Sequence, residues 1–241
     1  MKERAVFTTI SYGKDYHWRT RRLAQGLSEA GYEILVYTDD KSAFADMNNV
    51  RSFDFFPRKE NKGCFSGYDK DRVALRVLED SEYFWYIDSD WIVKEDRNLD
   101  LIENLTMLPG FTSARPPAPS MHSKGYPREC TELAWKKYKI KKVRHHHEFC
   151  YAIKKDNGKE RDYLKILLEL GDIHDNIEMS RLKKEGREIG KGVFISRSSG
   201  VSFGFALQAS GFADIPAQHK QGPFRQAVYA NFSHLAVHSP A

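Results

Sequence analysis

Hydrophobic and polar positions fall into short blocks over the first hundred residues, and their period changes from one block to the next. Ala5-Val6-Phe7-Thr8-Thr9-Ile10 is a run of strand formers. From Tyr16 to Ala30 the apolar positions Trp18, Leu23 and Leu27 recur at helical spacing among arginines. Gly31 follows, where a helix C-terminal glycine belongs. Glu33 to Thr38 predicts a second strand that ends at Asp39-Asp40. Strand, helix and strand in about 35 residues make a parallel, right-handed βαβ unit.

A weaker strand over Val50 to Phe56 stops at Pro57. Asp69 to Asp80 predicts a helix with Val73, Ala74, Val77 and Leu78 on one side. Tyr83-Phe84-Trp85-Tyr86-Ile87 then reads as a fully buried strand, delivering Asp88-Ser89-Asp90 to its carboxyl end. Open α/β sheets bind their ligands along that edge. The second half is less regular: a stiff Arg115 to Ser120 loop, a basic stretch over Lys136 to His147, and a strand over Phe149 to Ile153. Helical patterns follow over Lys159 to Leu170 and Ile177 to Glu185, and beyond Gly190 the glycine and serine content rises. With no internal repeat and no linker, the expected organisation is one domain over residues 1–241, in halves meeting near residue 95.

Composition narrows the class. Hydrophobic residues at 41% and charged residues at 29% are ordinary globular usage, so disorder is not expected. The net charge of +5 suits an anionic small molecule such as a nucleoside diphosphate and leaves weak nucleic-acid binding open. Cys64, Cys130 and Cys150 form no C-x-x-C pair, which removes the usual zinc and redox signatures. An odd count suits a reducing compartment. Met1 to Arg4 leads into too short an apolar stretch for a signal peptide, and no run reaches the ~18 apolar residues of a membrane span. A cytoplasmic protein without an integral membrane segment is expected, although a luminal domain cut from its anchor would read similarly.

The candidate chemistry is a pair of carboxylates. D-x-D occurs twice, but Asp69-Lys70-Asp71 opens a helix, where acids favour the positive dipole end. Asp88-Ser89-Asp90 is led in by a buried strand and followed by Trp91-Ile92-Val93. Two carboxylates two residues apart on a tight turn can face a hard cation, and Mn²⁺ or Mg²⁺ takes such oxygen ligands while bridging phosphates. Turn capping is the plainer alternative, but two ionised groups at a buried strand end need compensation.

Tyr86 to Val93 resembles the D-x-D segment of GT-A-fold, nucleotide-sugar glycosyltransferases. The preceding helix, with Lys70, Arg72 and Arg76, is similar to the one leading into that strand in several such families. The likeness covers residues 5 to about 95 well and the rest loosely. It implies a GT-A-like, Rossmann-like mixed α/β sheet flanked by helices, with a nucleotide-sugar-binding first half and an acceptor-binding second half. It further implies metal-dependent transfer of a hexose from a nucleoside diphosphate sugar, UDP-linked at the family level, to a hydroxyl acceptor such as a glycan.

Residue by residue, the resemblance implies Tyr16, with Tyr12 as second choice, against the donor base and Asp39 on the base or ribose. Arg72 would bind donor phosphate or sugar oxygens, with Arg76 its competitor. Asp88 and Ser89 would meet the donor, and Asp88 and Asp90 the metal, with His234 (alternatively His238) as a further ligand. Glu148, after His145-His146-His147, is a candidate general base or charge stabiliser, with Asp175 and Asp172 as rivals, and the histidines read as a polar acceptor loop.

Two other classes compete. A haloacid-dehalogenase-like Mg²⁺-dependent phosphatase also carries D-x-D after a buried strand, but in its first strand and with Thr or Val where Ile92 stands. A non-enzymatic basic module would use Lys136 to Arg144 on a nucleic-acid backbone and leave Asp88 and Asp90 without purpose. No nucleic-acid partner is expected, and the lack of G-x-G-x-x-G after the first strand disfavours a dinucleotide enzyme.

Overall fold

The computed structural model describes residues 6–91, 108–113, 126–140, 143–146, 148, 150–190, 193–196 and 200–215. Its centre is a six-stranded sheet. Four strands come from the first half: β1 (Val6–Ser11), β2 (Ile34–Thr38), β3 (Val50–Asp54) and β5 (Tyr83–Ile87). The remaining two, β6 (Gly110–Ser113) and β7 (Cys150–Lys154), come from the second. The order is β3-β2-β1-β5-β7-β6, with β7 antiparallel to both of its neighbours. This agrees with the mixed, GT-A-like α/β sheet expected from the sequence, and strands from both halves share it.

Alternation along the strands sorts the core into two layers. Trp85 and Ile87 face α1 (Lys14–Glu29), which contributes Leu23, Ala24 and Leu27. Phe84 and Tyr86 face the other way, toward α2 (Asp69–Asp80), α4 (Lys159–Lys184) and α5 (Gly200–Ser210). A further helix, α3 (Arg128–Tyr138), packs Ala134 with Leu170 of α4 and Phe205 of α5. Helix α1 ends as Gly31 predicts: Gly31 takes φ 80, its N–H donates to Ser28 O, and Tyr32 N–H donates to Leu27 O.

The two helices expected over 159–185 are one continuous α4. Gly171 lies inside it because a Cβ there would stand 2.5 Å from Tyr68 Cγ, so the residue that reads as a break is a packing requirement. Residues 200–210 form a buried helix despite their glycines. A Cβ on Gly204 would meet Arg144 O at 2.2 Å, and one on Gly200 would meet His146 O at 1.6 Å. These are backbone atoms that cannot swing aside, so α5 lies directly on the 143–146 segment. Gly204→Ala is expected to cost ~2–4 kcal/mol, within the range of overpacked core sites, as read by chemical denaturation.

The basic stretch is partly helical. Lys136 and Lys137 occupy the last turn of α3, where cations favour the carbonyl end. Lys137 Nζ also bonds Glu169 at 2.5 Å. His146, expected in a polar loop, is buried edge-on against Phe111 with ring centroids 5.5 Å apart. His147 lies outside the described residues.

Between Phe65 and Ser66 a short β4 pairs in parallel with β8 (Phe194–Ser196). Asp175 of α4 lies beneath this ribbon, accepting from Ser66 Oγ at 2.8 Å, Asn61 Nδ2 at 3.1 Å, and the Ser196 hydroxyl. Neither two-residue nor three-residue strand has a sequence pattern long enough to read. Among the described residues, no helix is long and apolar enough to cross a membrane.

Candidate active site at the carboxyl edge of the sheet

Strands β1, β2 and β5 are parallel and end along one edge. β1 pairs with β5 as far as Thr8 and Tyr86, and the turns that follow the two strands, at Tyr12-Gly13 and at Asp88 to Asp90, both leave from this edge. β7 enters the sheet opposite the end of β5, Cys150 pairing with Ile87, and Asp88 lies within the field of both Asp90 and Glu148. The two D-x-D carboxylates, Glu148 and the first strand-to-helix turn therefore gather at one place. They are the predicted site residues that the fold brings together.

Asp88 is half-buried, and Asp90 is exposed. Desolvation, with the charges of Asp90 and Glu148, pushes the Asp88 carboxyl up to about 7 against the pull of Lys70 and a hydrogen bond from Tyr86. Lys70 is 6% exposed; its Nζ donates to the Glu148 carbonyl at 2.6 Å and lies 5.7 Å from the Tyr86 ring centroid. It is thus the cation of this edge, and the sequence reading gave it no role. A signal existed: Lys70 and Asp71 precede Val73 and Ala74 by three residues each, on the stripe that turns inward.

Asp69-Lys70-Asp71 opens α2 as read from the sequence, with both acids in its first turn, but the same geometry gives Asp71 a further environment. Its side chain faces the core rather than the helix amides: Tyr151 Oη donates to Oδ1 at 3.2 Å, and Oδ2 has no partner among the described residues. Desolvation, the largest cause, pushes this carboxyl up to about 7. A raised folded pKa means the native state holds a proton that the unfolded chain has already released. The resulting stability is fully present below about pH 4 and is lost as pH rises through about 7. Asp71→Asn removes this loss, so its stability relative to the parent is expected to grow by ~2–4 kcal/mol from pH 4 to pH 8 in denaturant titrations. A pH-independent difference would mean that the carboxyl ionises freely in the folded state.

Asp39 accepts from Gly13 N–H at 3.0 Å and contacts His17 Nε2 at 3.0 Å, and Thr38 Oγ1 lies 3.3 Å from the same ring nitrogen. Asp39 therefore fixes the turn that carries Tyr12, through a histidine that the sequence reading did not single out. Tyr12 is half-buried beside Phe65, and burial, with Asp39 nearby, pushes its hydroxyl up. Tyr16, by contrast, is 46% exposed on α1 beneath Arg19.

The remaining predicted residues lie apart from this cluster. Arg72 is drawn to Asp69 and, at 3.1 Å, to Asp172, which Arg58 shares. Arg76 borders a recess of about 550 Å³ at the opposite, amino edge of the sheet, with Val6, Arg51 and Tyr83. Asp175 is held in the ribbon network described above. His234 and His238 lie outside the described residues. Among those described, no group of three or more His, Cys, Asp or Glu side chains is arranged to hold a metal by itself.

No protein-family model and no curated protein matches the chain. Among solved structures, the apo form of the bifunctional glycosyltransferase WbbM aligns with 69% of this chain at 13% identity and a TM-score of 0.43. The aligned region is 34% of that protein's chain, about a third of its length. A likeness of that depth carries no weight for activity, and what is established is the mixed α/β sheet with its carboxylate cluster at one edge.

Proposed function

We propose that the chain transfers a sugar from a nucleoside diphosphate donor to a hydroxyl acceptor of glycan type, with Mn²⁺ or Mg²⁺ held by Asp88 and Asp90. The observation that carries this reading is the charge balance at the sheet edge. Asp88, Asp90 and Glu148 converge there with the buried ammonium of Lys70 among them, and burial, together with the two neighbouring carboxylates, holds Asp88 up to about 7. A divalent cation would relieve that excess. Two carboxylates fit it without a third protein ligand, because Mg²⁺ in phosphate sites commonly takes one or two carboxylates and completes its shell with phosphate oxygens and water. Such an ion, when bound, neutralises charge on a diphosphate leaving group.

The chain's own residues then divide the work. Asp39 and Tyr12 border the place for the nucleoside, fixed by Gly13 and His17. Glu148 is the carboxylate placed to take a proton from an acceptor hydroxyl or to balance positive charge on the sugar. Lys70, through the Glu148 carbonyl, ties that residue's backbone to α2. A UDP-linked donor remains part of the proposal on the strength of the D-x-D resemblance, and His234 remains the candidate for an additional metal ligand.

The test is a thermal-shift panel of UDP, GDP, CMP and dTDP, each with Mn²⁺, Mg²⁺ or EDTA. A ligand at 100 times its Kd stabilises by ~2.7 kcal/mol, so the expected outcome is a clear shift with one nucleotide that EDTA removes. A folded protein that shifts with none of them would overturn the proposal.

A further inference from the structure

The recess at the amino edge of the sheet differs in its chemistry from the carboxylate edge. Helix α2 packs against β1 and β5. Beyond it, the same side of the outer strands is only half-buried, at Leu35 of β2 and Phe53 of β3. With Val6 these side chains floor a space of about 550 Å³, within the roughly 300–1,000 Å³ of small-molecule sites. Phe53 pairs directly with Tyr37 across the strands, with ring centroids 5.1 Å apart and planes inclined by 20°, so the floor continues as a fixed aromatic pair.

Cations reach this space from two elements. Arg51 of β3 lies over the Phe53 ring at 5.8 Å, and Arg76 comes from α2. Burial, with Asp80 and Glu79, pushes the Tyr37 hydroxyl up against the pull of Arg76 and Arg51. Two guanidiniums and a phenol thus border one recess. Asp80 stands one turn after Arg76 on α2, where an ion pair is the ordinary outcome. Among the described residues no hydrogen bond or ion pair forms there or at Arg51, so the protein itself takes up neither fork.

Carboxylates line the same space. Glu82 is held by Lys155 Nζ at 3.1 Å, which leaves Glu33 and Asp80 to accept from a ligand. Donors and acceptors over an apolar floor suit a molecule that is anionic at one end and hydroxylated at the other. A phosphate monoester fits the guanidinium forks, and sugar hydroxyls donate to carboxylates as a ribose does in dinucleotide folds. The C–H face of the ring then covers Leu35 and Phe53. A bare anion would meet the two carboxylates with nothing to donate, and a neutral sugar would leave both guanidiniums unused.

We propose that this recess binds a sugar ring carrying a phosphate monoester, with Arg51, Arg76 and the Tyr37 hydroxyl on the phosphate and Glu33 and Asp80 on the hydroxyls. Hexose phosphates and nucleoside monophosphates share that chemistry. The site lies at the other end of the strands from Asp88 and needs neither the metal nor the reaction proposed there.

The experiment is calorimetric titration of the full chain in EDTA with glucose 1-phosphate, glucose 6-phosphate, UMP, AMP and inorganic phosphate. Parent, Arg51→Ala, Arg76→Ala and Arg22→Ala are compared. All three arginines are exposed, and Arg22, on α1 across the sheet, controls for lost charge alone. Saturable binding of at least one ester is expected, weakened about tenfold or more by Arg51→Ala and by Arg76→Ala and unchanged by Arg22→Ala. Whether a hexose or a nucleoside ester binds tells the two sources apart. No saturable binding of any ester, or an affinity that Arg51→Ala and Arg76→Ala leave at the parent value, would overturn the proposal. An equal loss in all three variants would overturn it as well, by reducing the effect to net charge. So would inorganic phosphate binding as tightly as the esters, which would make the recess an anion site alone.

Discussion

Asp88→Asn and Asp90→Asn are each expected to weaken Mn²⁺-dependent nucleotide binding at least ~100-fold, about 2.8 kcal/mol, without unfolding the protein. Asparagine keeps the shape of the side chain but takes away the charge that a hard cation requires. For Asp88 the apo protein supplies an internal control. Its carboxyl is held up to about 7, so the folded state loses stability as pH rises through that value, and the neutral variant does not. At pH 8 apo Asp88→Asn should therefore melt no lower than the parent while its calorimetric Mn²⁺–nucleotide signal disappears. Parent-like affinity in either variant would take the metal away from this edge.

Asp175→Ala is expected to act on stability instead, by ~3–5 kcal/mol. The buried carboxylate gathers Asn61, Ser66 and Ser196, and alanine removes the acceptor all three share, leaving the two hydroxyls only each other. In a chain of this size that corresponds to a fall in Tm of roughly 10 °C. Asp175→Asn, which keeps one acceptor oxygen, should lose less. Equilibrium denaturation at pH 7 decides between this role and the chemical one that sequence position suggested. Stability within ~1 kcal/mol of the parent, with turnover abolished, would make Asp175 part of the chemistry.

Wherever a pattern was long enough to have a period, the fold was legible. β5 follows from five consecutive apolar residues that lead into Asp88, and α1 from its apolar spacing and Gly31. What escaped depends on partners far away in sequence. Gly171 fell between two expected helices and Gly204 in a glycine- and serine-rich stretch without a predicted helix, because local propensity cannot register a Tyr68 ring or an Arg144 carbonyl pressed against them. At the site, the edge and its carboxylates could be read from Asp88-Ser89-Asp90. Lys70 and Asp71 could not, because the dipole rule accounts for acids at a helix start without asking which way they face. Arg72 shows the converse: the residue type suits a phosphate, yet Asp69 and Asp172 already occupy its fork.

The β4–β8 ribbon also dictates an order of assembly. Four strands of the sheet pair within the first ninety residues, and β7 joins them soon after. The hydroxyls of Ser66 and Ser196, 130 residues apart, meet only when the later one has left the ribosome. Closing so long a loop for a pairing two residues deep is slow and brings little local reward. The sheet and its carboxylate edge can thus exist in a nascent chain that still lacks the ribbon, with Asp175 waiting for the Ser196 hydroxyl. In amide exchange the ribbon bonds, Phe65 N–H to Val193 O and Gly67 N–H to Ser196 O, should open well before those of β1 and β5. The carboxylate edge would be in place early in the chain's life, and the ribbon beside it would come last.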